Sequence, residues 1–397
     1  MDNINNYVLT NKKILKIVGL YPTSIVKYII CCMCMFGIVI PQALQIYHNW
    51  RDLAIVLETS SVLLTILLAI LKSLVWMYNR KKMDSFIKYM LTDYWKIMTT
   101  YVLKHTNIHA IYVRKGYLFT MGYLFLIFNS LVFFYSLPII DIFITTVKGT
   151  NNNSTKHFPF VALYPKFFYN FPLYQIVYFS QMLATSLCGL IILGTDTLIA
   201  TALFFTCGHF KVLQEKIKTI MQIDLKKYAC DKENTVKNIK LGIKDIVKHH
   251  YTILWFCDDM EMLFSPMLFL QTLASSLIIC LVGFQITTAN ITADMISKML
   301  KYISYLFMAL FQLLLFCIPG DALINESSAI KETVYSTTWY ELPILFRTVI
   351  CLFILRSQRP SQITAGKFYV MHLENFNVVL STAVSYFMLI RTIYNKE

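Results

Sequence analysis

Apolar residues run along this chain in seven long, nearly unbroken stretches separated by polar, lysine-rich segments. The stretches are Tyr28 to Tyr47, Ala54 to Tyr78, Tyr117 to Ile140, Leu173 to about Phe205, Leu263 to Thr288, Met299 to Ala322 and about Phe368 to Tyr394. Each is near the roughly 20 residues a helix needs to cross a hydrocarbon core. No water is available there to satisfy backbone groups, so spanning segments form helices or closed barrels. Barrel strands alternate in polarity over about ten residues, and these runs are too long and continuous for that. The pattern predicts an all-α, polytopic membrane protein with seven transmembrane helices.

Two polar segments carry a further helical pattern. Val212, Leu213, Ile217, Ile220 and Met221 recur at helical spacing between Lys211 and Lys227, as do Ile239, Ile243, Ile246, Tyr251 and Leu254 between Lys237 and Leu263. Spans four and five are therefore expected to continue as helices beyond the bilayer.

Charge then sets the orientation. Lys12, Lys13 and Lys16 precede span one, and a basic loop from Arg80 to Lys115 follows span two. Ten lysines from Lys211 to Lys248 follow span four, and Lys331, Arg347, Arg356, Arg359 and Lys367 follow span six. Basic loops stay in the cytoplasm, which puts the N-terminus inside and the C-terminus outside. Under this topology the glycosylation sequons at Asn152, Asn153 and Asn290 lie outside, whereas Asn325 lies inside. A G-protein-coupled receptor needs the opposite orientation.

The net charge of +14 is explained by this loop bias and not by nucleic-acid binding. Met1 to Lys13 is mostly polar, unlike a secretory leader. The ten cysteines include Cys31, Cys32, Cys34, Cys188, Cys280 and Cys317 within spans. They form neither a disulfide framework nor a metal pattern. His249, His250, Asp258, Asp259 and Glu261 form a group of catalytic residue types, without the spacing of a metalloprotease or any glycine-rich phosphate loop. An ordinary helix face at the membrane boundary accounts for them. No cofactor, metal or enzymatic activity is expected. A secondary transporter would show internal repeats and paired broken spans, which are absent by inspection. Charges within spans are functional candidates: Glu58, Lys72, Asp141 and Asp196. Asp196 is expected to face an aqueous vestibule or to pair with a lysine of a cytoplasmic extension.

The C-terminal fifth is the most specific part. Trp339 to Leu355 is apolar but too short to span. Arg356-Ser357-Gln358-Arg359-Pro360 ends it, since proline cannot continue a helix. Thr364 is then a candidate N-cap for a last helix from Ala365 to Tyr394. Arg356 to Pro360, Thr364-Ala365-Gly366-Lys367-Phe368 and Ser385-Tyr386-Phe387 resemble the C-terminal signature of insect odorant receptors. So do Tyr335 to Tyr340 upstream and the Pro319-Gly320-Asp321 turn with Ser327 and Ser328, although the family more often has Gly-Asn at that turn. The gustatory branch usually ends in a different pattern and fits less well.

That resemblance implies a ligand-gated, non-selective cation channel, assembled as a tetramer with olfactory coreceptor subunits, in which this chain is the odorant-tuning subunit. It implies the following organisation: 1–27 cytoplasmic; 28–206 spans one to four with the ligand pocket; 207–262 cytoplasmic helical extensions; 263–322 spans five and six; 323–364 a cytoplasmic loop and short anchor helix; 365–397 the pore-lining span seven and extracellular C-terminus. The assembly anchor would involve Tyr335, Trp339, Arg356, Arg359 and Gly366. The gate would involve Leu389 and Ile393, four apart on one helix face, with Thr392 beside them. The pocket would lie in the outer half of spans two, three, four and six. Candidates there are Leu57, Ser60 and Ser61; Phe133, Phe134 and Leu137; Tyr174, Tyr178 and Met182; and Tyr302 and Tyr305. Apolar walls with few polar anchors suit a volatile apolar ligand, although tyrosines at a membrane boundary also serve as plain interfacial anchors. The implied location is the plasma membrane of olfactory sensory neurons, in contact with membrane lipid.

Overall fold

A computed structural model describes residues 4–97, 108–147, 158–221, 232–288 and 295–394. Asn152, Asn153 and Asn290 lie outside the described residues. Ten α-helices make up nearly all of the described chain: α1 (Ile4–Val18), α2 (Ile25–His48), α3 (Leu53–Tyr78), α4 (Arg80–Tyr89), α5 (Ile108–Val147), α6 (Leu173–Met221), α7 (Lys232–Thr288), α8 (Met295–Tyr335), α9 (Ile344–Ser357) and α10 (Leu373–Tyr394). Seven of them, α2, α3, α5, α6, α7, α8 and α10, are long and apolar enough to cross a membrane.

Helix α6 is the centre of the bundle. It is 49 residues long, and from Ile191 to Phe210 every side chain is buried. It packs on α5, α8, α7, α1 and α2. Lipid tails supply no hydrophobic drive between spans, so such packing depends on close approach. Gly189 and Gly194 provide it. A Cβ at Gly189 would lie 3.2 Å from Ile127 of α5, and one at Gly194 would lie 3.0 Å from Leu15 of α1. That second contact seats α1, whose Ile14, Leu15 and Val18 are buried. Asn11 of α1 also donates to the Thr201 hydroxyl at 3.3 Å. The polar-looking N-terminal segment is thus an integral part of the helical core.

Helices α6 and α7 continue well beyond spanning length, as their periodicity predicts. Val212, Leu213, Ile217 and Met221 of α6 and Ile239, Ile243 and Ile246 of α7 are buried, whereas Tyr251 points outward and is 70% exposed. Helix α9 packs on α8 with Phe346 and Ile350 buried, and Ile350 shares a small void with Ile217, Met221, Ile243 and Ile246 of the pair. Its other side leaves Ile344, Leu345, Leu352 and Leu355 exposed.

Three expectations for the C-terminal region need correction. Span six does not end in a turn at Pro319-Gly320-Asp321. Helix α8 runs through it to Tyr335, so residues 323–335 are helix and not loop. Gly320 is required there because a Cβ would collide with the Met371 carbonyl oxygen. The short helix starts at Ile344, after Pro343 and a 3-10 turn at Trp339–Glu341. The last helix starts at Leu373 rather than Ala365. Thr364–Ala365 and Tyr369–Val370 instead form a two-stranded antiparallel hairpin. Gly366 (φ +61°) and Lys367 (φ +65°) turn it in the left-handed region, which opens a tight hairpin and cannot continue a right-handed helix. Thr364 caps no helix: its hydroxyl accepts from the Lys367 N–H at 3.1 Å within the hairpin, and its hydroxyl and backbone N–H both bond Glu261 of α7, the latter at 2.7 Å.

Candidate functional site

A cavity of about 70 Å³ lies between α3, α5, α6 and α8, the four spans expected to hold a ligand. Void of about 10–15 Å³ holds one water, so this space takes a small molecule. Val62, Thr65 and Ile66 of α3 form one wall. Tyr123, Ile127, Ser130, Leu131 and Phe134 of α5 form the second. Thr185, Cys188, Gly189 and Ile192 of α6 form the third, and Tyr305, Met308 and Gln312 of α8 close it.

The roof is aromatic. Phe160, from the segment between α5 and α6, stacks on Phe134 at 5.0 Å, and Phe134 meets the Tyr305 ring edge-on at 5.9 Å. Both arrangements suit ring quadrupoles. Gln181 holds Phe160 through two bonds, accepting from its backbone N–H at 3.2 Å and donating to its carbonyl at 3.3 Å. Above the Phe134 ring, 4.5 Å from its centre, stands the Lys301 ammonium, which also pairs with Glu58 at 2.9 Å. Phe160 was not singled out from the sequence, because nothing local indicates that a loop residue turns back into the bundle.

The floor is ionic. Lys72 of α3 and Asp196 of α6 pair at 2.6 Å, both fully buried. Gln312 of α8 donates to the second carboxylate oxygen at 2.7 Å and to Gln271 of α7 at 3.1 Å. The expectation for Asp196 is corrected accordingly: its partner is a lysine within span two, not one from a helical extension, and the carboxylate faces no vestibule.

Of the eleven ligand candidates, Phe134 and Tyr305 line the cavity. Tyr305 donates to the Ser61 carbonyl at 3.1 Å and bonds the Thr65 hydroxyl. Leu57 and Ser61 sit above it, where Gln285 donates to the Leu57 carbonyl at 3.0 Å. Tyr302 is buried beside Lys301. Tyr178 donates to the Tyr135 carbonyl at 2.5 Å, the Met182 carbonyl accepts from the Tyr135 hydroxyl at 3.1 Å, and Tyr174 stacks on Phe158 at 5.0 Å. Phe133 and Leu137 are half-buried and do not line the cavity. These residues build the shell around the cavity, and the lining lies about a turn deeper. Ser60 lines a different space, an open apolar cleft of about 470 Å³ shared by α3, α7 and α10.

That cleft contains Leu389, with Leu63, Leu67, Leu277 and Leu281 opposite. Leu389 is still 59% exposed, and among the described side chains of α10 only Ala383 is fully covered. Thr392 is exposed and donates to the Met388 carbonyl at 2.8 Å. Ile393 lies one turn beyond Leu389 in the same helix. At its base α10 is tied down by the hairpin: Gly366 N–H donates to the Ser265 carbonyl at 3.0 Å, and a Cβ at Gly366 would lie 2.8 Å from the Phe269 ring. Tyr335, Arg356 and Arg359 are exposed, while Trp339 is half-buried.

The histidine and carboxylate group divides between structural roles. Glu261 is engaged by the hairpin. His249 faces His209, Nε2 to Nδ1 at 3.1 Å. Both lie on the extensions beyond the spans. Burial, with Lys216 nearby, pushes His249 down to about 3, and burial next to Arg356 pushes His250 down to about 4.

Seven apolar helices of spanning length, four of them around a mostly apolar cavity, define a multi-pass membrane protein. The chain belongs to the 7tm Odorant receptor family, whose model matches residues 52–384. It is 32% identical to Odorant receptor 13a of Drosophila melanogaster over 65% of this chain, a match spanning 62% of that protein. It is 22% identical to Odorant receptor Or2 of Anopheles gambiae, over 93% of both chains. Its fold is similar to that of the insect olfactory receptor OR5 from Machilis hrabei in complex with eugenol, with a TM-score of 0.79 at 14% identity over 98% of both chains.

Proposed function

We propose that this chain is the odorant-binding subunit of a ligand-gated, non-selective cation channel formed with olfactory coreceptor subunits. The carrying observation is a division of labour. One part of the bundle closes around a ligand-sized cavity, while α10 is left almost uncovered by its own subunit. An apolar helix in that position is suited to line a shared pore. A ring of Leu389 and Ile393 there would close it by dewetting, with Thr392 alongside. The uncovered apolar side of α9 provides a matching contact for neighbouring subunits on the lysine-rich side, and the hairpin with Gly366 fixes α10 to that region. Charge bias supports a cytoplasmic N-terminus and an extracellular C-terminus, and the implied setting is the plasma membrane of olfactory neurons. Phe134 and Tyr305 contact the odorant directly, and the other aromatic residues named above hold the cavity's shape.

The test is whole-cell current in cells expressing the chain with and without an olfactory coreceptor during application of volatiles. Rapid inward cation current only with both subunits is the expected result. Odorant-evoked current from this chain alone would remove the obligate partner. Silence in both settings, with the chain at the surface, would refute the channel reading.

A further inference from the structure

Most donors around the cavity are already engaged, and among its lining residues the hydroxyls of Ser130 and Tyr123 make no hydrogen bond. Thr65 donates to the Ser61 carbonyl at 3.0 Å and Thr185 to the Gln181 carbonyl at 2.7 Å. Tyr305 donates to the Ser61 carbonyl, and the Gln312 amide is shared between Asp196 and Gln271. Tyr123 differs from these. Its side chain is fully buried and lines the cavity, yet its hydroxyl has no hydrogen-bond partner. Buried polar groups are nearly always satisfied, and an exception calls for an explanation.

We propose that Tyr123 is the specificity-determining donor of this cavity, and that its ligand is a neutral volatile with one acceptor oxygen on an apolar skeleton, such as an aldehyde, ketone, ester or alcohol. The proposal rests on the reading of the cavity as the odorant site and adds the chemical class of the odorant. The walls set the apolar part: Ile66, Ile127, Ile192 and Met308 offer no polar contact. Lys72 is already neutralised by Asp196, so a carboxylate entering the site has no free cation at that depth. A bare hydrocarbon leaves the phenol O–H unpaired in the bound state, whereas an oxygen on the same skeleton takes it up. Sites with a buried donor discriminate against analogues that lack its partner. The Tyr123 ring packs against Phe311 with centroids 6.0 Å apart.

The experiment uses matched pairs, a ketone or alcohol and the hydrocarbon of the same skeleton, applied to cells expressing the full chain with coreceptor. The oxygenated member is expected to be about tenfold or more the stronger agonist, equivalent to about 1.4 kcal/mol. Tyr123→Phe, which keeps the ring, is expected to bring the ratio towards one. Thermal stabilisation of the purified chain by the same pairs gives a readout independent of conduction. Currents with equal potency within pairs, or a preference that survives Tyr123→Phe, would overturn this assignment and leave the channel reading in place. Preferential stabilisation without any current would support the assignment and refute the channel reading. Neither stabilisation nor current would overturn both.

Discussion

Removing Lys72 alone should be far more damaging than removing the whole ion pair. At 2.6 Å and an effective dielectric of about 20, the attraction between Lys72 and Asp196 is about 6 kcal/mol. Taking both ions out of water costs several kcal/mol each, so the pair as a whole is near break-even against apolar residues of similar size. Lys72→Met leaves the Asp196 carboxylate buried with Gln312 and the Thr195 hydroxyl as partners. The expected loss is about 3–5 kcal/mol, a large part of the 5–15 kcal/mol typical of a folded protein. In Lys72→Met/Asp196→Leu no charge remains. Gln312 keeps Gln271 as a partner, so a residual cost of about 1 kcal/mol is expected. Unfolding of the purified full chain at the four corners of this double-mutant cycle measures the coupling directly. The reasoning fails if Lys72→Met costs under about 1 kcal/mol, or if the double variant is no more stable than the single one.

Gly366→Ala forces a Cβ to within 2.8 Å of Phe269 at a φ of +61°. It should cost about 1–3 kcal/mol and lower surface expression, whereas an alanine at open Gly37 should not. Leu389→Ala, at a position 59% exposed in the subunit, should change stability by less than about 0.5 kcal/mol while producing standing current without odorant; a silent variant would place the gate elsewhere. Acidification on the lysine-rich side should destabilise the fold. His249 and His250 are held neutral at pKa values of about 3 and about 4, below the unfolded value of about 6.5. The unfolded chain therefore binds more protons between those limits, and stability falls as pH drops from about 7 through that window. His249→Gln/His250→Gln should flatten the pH dependence of unfolding in that range.

The spans, the extended helices of spans four and five and the short apolar helix were all legible, because each depends on long runs or a repeated helical period. The four spans around the cavity follow from the family resemblance, and most of the candidate residues sit about a turn above its lining. Periodicity identifies a face but not a depth, and the position of Phe160 comes from a loop anchored by Gln181 21 residues on. The pairing of Lys72 with Asp196 joins positions 124 residues apart, which no local pattern encodes. The hairpin was read as helix because Thr364-Ala365-Gly366-Lys367 has a plausible cap followed by apolar residues. The competing signal was Gly366 itself, a residue whose tolerance of positive φ favours turns. Helix α1 was read as a polar tail because its three core residues, Ile14, Leu15 and Val18, are outnumbered by polar neighbours.

The hairpin gives α10 the mechanics of a lever. It is clasped at one end through Glu261, Ser265 and Phe269, all on α7, while its far end is mostly bare. Leu389 lies 16 residues beyond Leu373, about 24 Å along the axis at about 1.5 Å per residue. A tilt of about 5° at the clasp would carry Leu389 about 2 Å sideways, on the order of a methyl radius. An apolar constriction is sensitive to changes of that size because its hydration switches with width. In the proposed channel, a displacement at the base too small to disturb the packed core is thus magnified at the position proposed for the gate.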